Sequence, residues 1–150
     1  MVTTSGRRTG SEGMPSARLV PELYCSDFER SLQFYTTVLG FSLSYTRVDE
    51  RFAYLDRDGA QIMIEQSTER AFVAGELSYP YGRGINFQIQ VSDVHALYAQ
   101  VLADGSLVYH HIEDKWYRCD HLLLGNRQFV VQDPDGYLLR FFEEIGQKPA

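Results

Sequence analysis

The sequence predicts an α+β fold built from two copies of one βαβββ unit. Three observations carry this expectation. Apolar/polar alternation and helical periodicity take turns along the chain. A strand running into Ser26-Asp27 and a helix is matched 66 residues later by a strand running into Ser92-Asp93 and a helix. Asp56-Arg57-Asp58-Gly59 and Asp133-Pro134-Asp135-Gly136 punctuate the ends of the two copies as hairpin turns.

Residues 1–17 are Ser, Thr, Gly and Arg with little to bury, so a disordered tail is expected, and Met14 offers an alternative start. Residues 18–146 form the expected domain, with module one at 18–76 and module two at 83–146. In module one, Arg18 to Cys25 reads as a strand and Ser26 or Asp27 as the cap of a helix. Phe28, Leu32, Phe34, Tyr35 and Leu39 stand at helical spacing, and Gly40 suits the position past the helix end. Strands are expected at Phe41 to Arg47, Arg51 to Leu55 and Gln61 to Glu65.

Module two opens on the alternation of Ile85 to Val91. Ser92-Asp93 caps a helix carrying Val94, Leu97, Tyr98, Val101 and Leu102 that ends at Gly105. Strands follow near Leu107 to His111, Tyr117 to Leu123 or part of it, Arg127 to Gln132 and Tyr137 to Phe142. In the last of these, Arg140 is a charged side chain in an otherwise apolar strand, on the face opposite Tyr137, Leu139 and Phe141.

The chain has a formal charge of −6 with 14 scattered Lys and Arg, which argues against nucleic acid and suits a cationic ligand. Cys25 and Cys119 lack C-x-x-C spacing, no cleavable apolar leader is evident, and no apolar run nears the roughly 18 residues of a membrane span. A cytoplasmic protein is the expectation.

The stretches VPELYCSDFERSLQFYTTVLGF, PYGRGINFQIQVSDV and RQFVVQDPDGYLLRFFE resemble the vicinal oxygen chelate superfamily: glyoxalase I, extradiol dioxygenases, and fosfomycin- and bleomycin-resistance proteins. The resemblance covers Leu19 to Glu144. It implies two curled mixed sheets enclosing a concave cavity, helices outside, and a homodimer. Enzymes of the superfamily hold a divalent metal with side chains from the first and last strand of each module. The matching residues here are Val20, Met63, Asn86 and Arg140, an aliphatic, a thioether, a carboxamide and a cation. Such a set does not hold a hard or borderline cation, so no metal and no cofactor is expected.

QIMIEQ and DPDGYLLRF look like the last strands of bleomycin-resistance proteins, which are metal-free and bind their cationic antibiotic in clefts between two subunits. The resemblance therefore implies a binding protein, with a glyoxalase- or dioxygenase-like enzyme as the alternative. In that enzyme Glu22 or Glu65 would work as acid or base and Arg140 would hold an anion. Candidate ligand contacts are the acids Glu22 and Glu65, the aromatics Phe52, Tyr54, Trp116, Tyr117 and Phe129, and Met63, Asn86, Gln88, Arg118 and Arg140. One departure stands out: where antibiotic-binding members carry tryptophan just before the glycine leading into the RQF strand, this chain has Leu124-Gly125. His110, His111, Glu113, Asp114, Asp120 and His121 form a further local cluster, but adjacent strand histidines point to opposite faces and do not share one ion.

Overall fold

The computed structural model describes residues 16–150. The expected disordered tail and Met14 fall almost wholly outside the described residues. Ala17, within that segment, donates its N–H to Gln61 Oε1 at 2.8 Å. The chain divides between Phe72 and Val73 into two compact units.

The first unit contains β1 (Glu22–Cys25), α1 (Phe28–Gln33), β2 (Ser42–Arg47), β3 (Phe52–Arg57) and β4 (Ala60–Gln66). Its four-stranded sheet has the order β1-β4-β3-β2, with β1 parallel to β4 and the remaining pairs antiparallel. The second unit contains β5 (Asn86–Gln90), α2 (Val94–Asp104), β6 (Val108–Cys119), β7 (Leu122–Gln132) and β8 (Leu138–Pro149). Its sheet, β5-β8-β7-β6, repeats the first in order and in direction. These are the two mixed sheets of the duplicated βαβββ pattern.

Local chemistry explains the element ends. Asp27 and Asp93 cap α1 and α2 by accepting from the N–H groups of Arg30 and Ala96, and Gly105 closes α2 in the left-handed region at φ 75°. Helix α1 continues as a single π turn over Phe34–Val38. Asp58 and Gly59, with φ of 51° and 93°, make the β3–β4 turn, and Gly59 N–H reaches Asp56 Oδ1. At the β7–β8 turn Asp133 Oδ1 accepts from the N–H groups of both Asp135 and Tyr137, as expected of an aspartate heading such a turn.

Each sheet buries one face under its helix. In the first unit Leu23, Cys25, Ala53, Leu55, Ile62 and Ile64 are buried together with Phe28, Tyr35 and Leu39. In the second, Ile89, Phe129, Val131, Leu139 and Phe141 lie with Val94, Leu97 and Val101. The opposite face of each sheet is where polar side chains collect.

Three sequence expectations need correction. The first strand begins at Glu22, not Arg18, because Pro21 has no N–H for the ladder; its carbonyl still accepts from Met63 N. Residues 117–123 are not one strand: β6 runs through Cys119, Asp120 turns the chain at φ 56°, and β7 starts at Leu122. Strand β6 spans its polar middle by register shifts near His110, and β8 runs on to Pro149, because backbone pairing with β7 sustains strands whose alternation is weak. No described helix is long and apolar enough to cross a membrane.

Candidate functional site

On the polar face of the first sheet, register builds two rows of neighbours. Glu22 lies beside Met63, Met63 beside Tyr54, and Tyr54 beside Tyr45; one step along, Tyr24 lies beside Glu65, Glu65 beside Phe52, and Phe52 beside Arg47. Tyr45 stacks on Tyr54 with centroids 5.2 Å apart, and the Arg47 guanidinium sits 3.7 Å above the Phe52 ring. Tyr54 donates to Gln61 Oε1 at 2.6 Å, and Gln61 donates onward to Asp56.

Two carboxylates sit within this aromatic surface. Burial pushes the Glu65 carboxyl above the ordinary glutamate range, the negative charge of Glu22 adds to the shift, and Arg47 opposes it. Burial likewise raises the Tyr24 phenol, helped by Glu22 and opposed by the Phe72 N–H that donates to its oxygen at 2.9 Å. Arg47 is held charged chiefly by its 2.5 Å bond to Glu50. Tyr24, Phe52 and Tyr54 are buried, so the half-buried Glu22, Tyr45, Met63 and Glu65 are the groups this face offers to a planar or cationic ligand.

The equivalent face of the second sheet has other chemistry. Gln88 lies beside Arg140 and Arg140 beside Val130; Gln90 lies beside Phe142 and Phe142 beside Gln128; Asn86 lies beside Leu138. Arg140 Nη1 donates to the Tyr117 hydroxyl at 3.2 Å, and Gln128 Nε2 donates to the same oxygen at 2.7 Å while reaching Glu113 at 3.5 Å. Arg140 Nε and Gln128 Oε1 are buried without a hydrogen-bond partner among the described residues. Beside them runs a groove of about 550 Å³, lined by Gln88, Tyr117, Leu124, Asn126, Phe142 and Glu144 among others.

The family's metal does not fit these residues. In the first sheet, Val20 lies ahead of β1 and register sets Glu22 beside Met63, which leaves one carboxylate beside a thioether. In the second, Gln88 and Arg140 stand side by side, and a fixed cation repels a metal ion. The histidines of β6 serve neighbours: His111 Nδ1 meets the Tyr98 hydroxyl at 2.6 Å, while His110 Nε2 lies 3.6 Å from Glu113.

Of the residues singled out from sequence, Glu22, Phe52, Tyr54, Met63 and Glu65 share the first polar face, and Asn86, Gln88, Tyr117 and Arg140 the second. Three lie elsewhere. Phe129 is fully buried on the core face against Phe141 and Tyr98, so it is a packing residue. Trp116 and Arg118 alternate with Tyr117 and face away from it. Trp116 covers Gly125 across the strand pair with Lys148 4.1 Å above its ring, and Arg118 bonds the Asp120 carbonyl.

Sequence reasoning missed Tyr45, Arg47 and Gln128. A register shift between Leu43 and Tyr45 breaks the alternation of β2, hiding the first two, whereas the alternation of β7 already placed Gln128 opposite the apolar Phe129.

Comparison with known proteins places the chain in a family. Residues 17–141 match the model of the Glyoxalase/Bleomycin resistance protein/Dioxygenase superfamily, and the chain belongs to it. It is 25% identical over 135 residues to a bleomycin resistance protein of Geobacillus stearothermophilus, covering 84% of this chain and 96% of that protein. Among solved structures it is similar to TioX from Micromonospora sp. ML1, with 26% identity, a TM-score of 0.67, and coverage of 86% and 99% of the two chains. A superfamily member from Alicyclobacillus acidocaldarius superposes at a TM-score of 0.60 with 25% identity, covering 85% and 91%.

Proposed function

We propose that this protein is a metal-free, cytoplasmic small-molecule binder of the bleomycin-resistance kind, a homodimer that sequesters a cationic ligand in a groove at its interface. One observation carries the reading: Glu22 and Glu65 stand among Tyr24, Tyr45, Phe52 and Tyr54 on one sheet face, with Glu65 resisting ionisation. A bound cation relieves the repulsion between those acids while a planar part stacks on the half-buried Tyr45 ring. The similarity to bleomycin resistance proteins supports the same class of ligand.

Calorimetry with bleomycin, with and without copper, is the test, alongside a mass measurement for the dimer. Heat is expected at micromolar ligand, weakening as pH falls and Glu65 takes up its proton. Replacing both Glu22 and Glu65 with Gln should cost on the order of tenfold or more in affinity, as loss of charge-assisted bonds does. Absence of heat at micromolar ligand with the native protein would remove the antibiotic assignment.

The raised Glu65 carboxyl is also what favours the second reading, an enzyme acting on a small metabolite, because a general base works best with its pKa moved toward neutral pH. Stoichiometric nickel, zinc, manganese or iron in the purified protein, with turnover lost in Glu65→Gln, would support it over sequestration.

A further inference from the structure

We propose that the Arg140–Tyr117–Gln128 constellation beside the second-sheet groove is a carboxylate-recognition subsite. This deepens the binding reading, since it rests on that polar face receiving ligand. It concerns the second unit alone and a group of opposite charge to the one proposed for the first sheet.

The argument begins with unspent bonding capacity. Arg140 carries a permanent charge, yet its partner among the described residues is a neutral phenol and its buried Nε has none. The Tyr117 oxygen already accepts from Arg140 Nη1 and from Gln128 Nε2, which leaves its own O–H proton for a third group. One open donor, the Tyr117 hydroxyl at the groove wall, thus stands beside a charge that no anion neutralises among the described residues. Arg140 is half-buried with no anion bonded to it among the described residues, and a carboxylate accepting from the Tyr117 hydroxyl at the groove wall sets a negative charge against that guanidinium.

The groove narrows the class further. Leu124 and Phe142 give it apolar walls. Glu144 stands four residues along β8 from Arg140, roughly 13 Å at the rise of a strand. A single anionic group at the Arg140 end, on a neutral or cationic body, matches this polarity. A dianion reaching both ends meets repulsion from Glu144.

The test uses benzoate and benzylammonium, similar in size and opposite in charge, titrated into the full chain and followed by calorimetry and by the NMR signals of the Gln88 and Gln128 side-chain amides. Benzoate is expected to bind more tightly and to shift those amides. Arg140→Gln should weaken benzoate at least about tenfold, as loss of a charge-assisted contact does, with Arg140→Lys in between. Tyr117→Phe, which removes the hydroxyl and keeps the ring, should weaken it several-fold and serves if Arg140→Gln does not fold. Benzylammonium binding as tightly as benzoate, no detectable benzoate binding, or affinity unchanged in the folded variants overturns the proposal. Bleomycin heats in the native protein report on the first-sheet reading separately.

Discussion

The two sheets share order, direction and register, yet their polar faces carry opposite chemistry. Glu65, flanked by Tyr24 and Phe52 in the first sheet, corresponds to Phe142, flanked by Gln90 and Gln128 in the second. Met63 corresponds to Arg140, and Glu22 to Gln88. On the helix-covered faces the correspondence is apolar with apolar: Leu23 beside Ile64, and Ile89 beside Phe141. Burial under a helix strongly favours apolar side chains, so that face is constrained by the fold. The open face tolerates an acid, an amide or a guanidinium, and there a duplicated backbone acquires two different recognition surfaces.

The largest effects should come from the constrained faces. Phe129→Ala removes a fully buried ring from the second core and should cost about 3–5 kcal/mol by chemical denaturation. Its counterpart across the duplication is Ala53, so the first core has no ring to lose there. A cost below about 1 kcal/mol would mean that Phe129 is not a core residue.

The turn glycines sharpen the contrast next. At Gly136, with φ 96°, a methyl group would meet Pro80 Cβ at 2.5 Å and Pro80 Cα at 2.7 Å. Gly136→Ala should cost roughly 2–4 kcal/mol from strain and overpacking together. Gly105→Ala, at φ 75° with open space around the added methyl group, should cost about 1–2 kcal/mol for the left-handed backbone alone. Equal thermal-denaturation losses in the two variants would contradict the contact with Pro80.

The caps are where the modules should behave alike: Asp27→Ala and Asp93→Ala should each lose about 1 kcal/mol, read in denaturant midpoints.

The smallest effect is recognised by its sign. Glu65 titrates higher in the folded protein than in the unfolded chain, so between the two ranges the folded state holds more protons. Stability therefore falls as pH rises through that window, and the loss persists above it. Glu65→Gln should stabilise the protein at neutral pH and lose this advantage below the ordinary glutamate range. No variant at Phe142 should show this pH dependence.

Legibility in the sequence followed the physics of range. The capped helices at Asp27 and Asp93, the glycine turns at Gly59 and Gly136 and the offset repeat are local, and each appears where it was expected. Strand continuity was misread where the evidence lay on a partner strand, as in β6, whose polar middle is held by pairing with β7. Phe129 and Trp116 lie off the polar face for a related reason. Aromatic composition does not reveal a face, and only register tells Tyr117, bonded to Arg140, from its neighbour Trp116 over Gly125.

The sequence by itself determined the duplicated βαβββ pattern, because capping, turn chemistry and alternation act over a few residues and repeat 66 residues apart. It also placed a guanidinium, Arg140, in the last strand of the second copy on the face opposite Leu139 and Phe141. Tertiary structure alone decided which polar groups meet: Glu65 within an aromatic row, and Arg140 against a phenol, its Nε without a partner among the described residues. Those encounters depend on register shifts and strand order, which join residues far apart in the chain and leave no local mark in it.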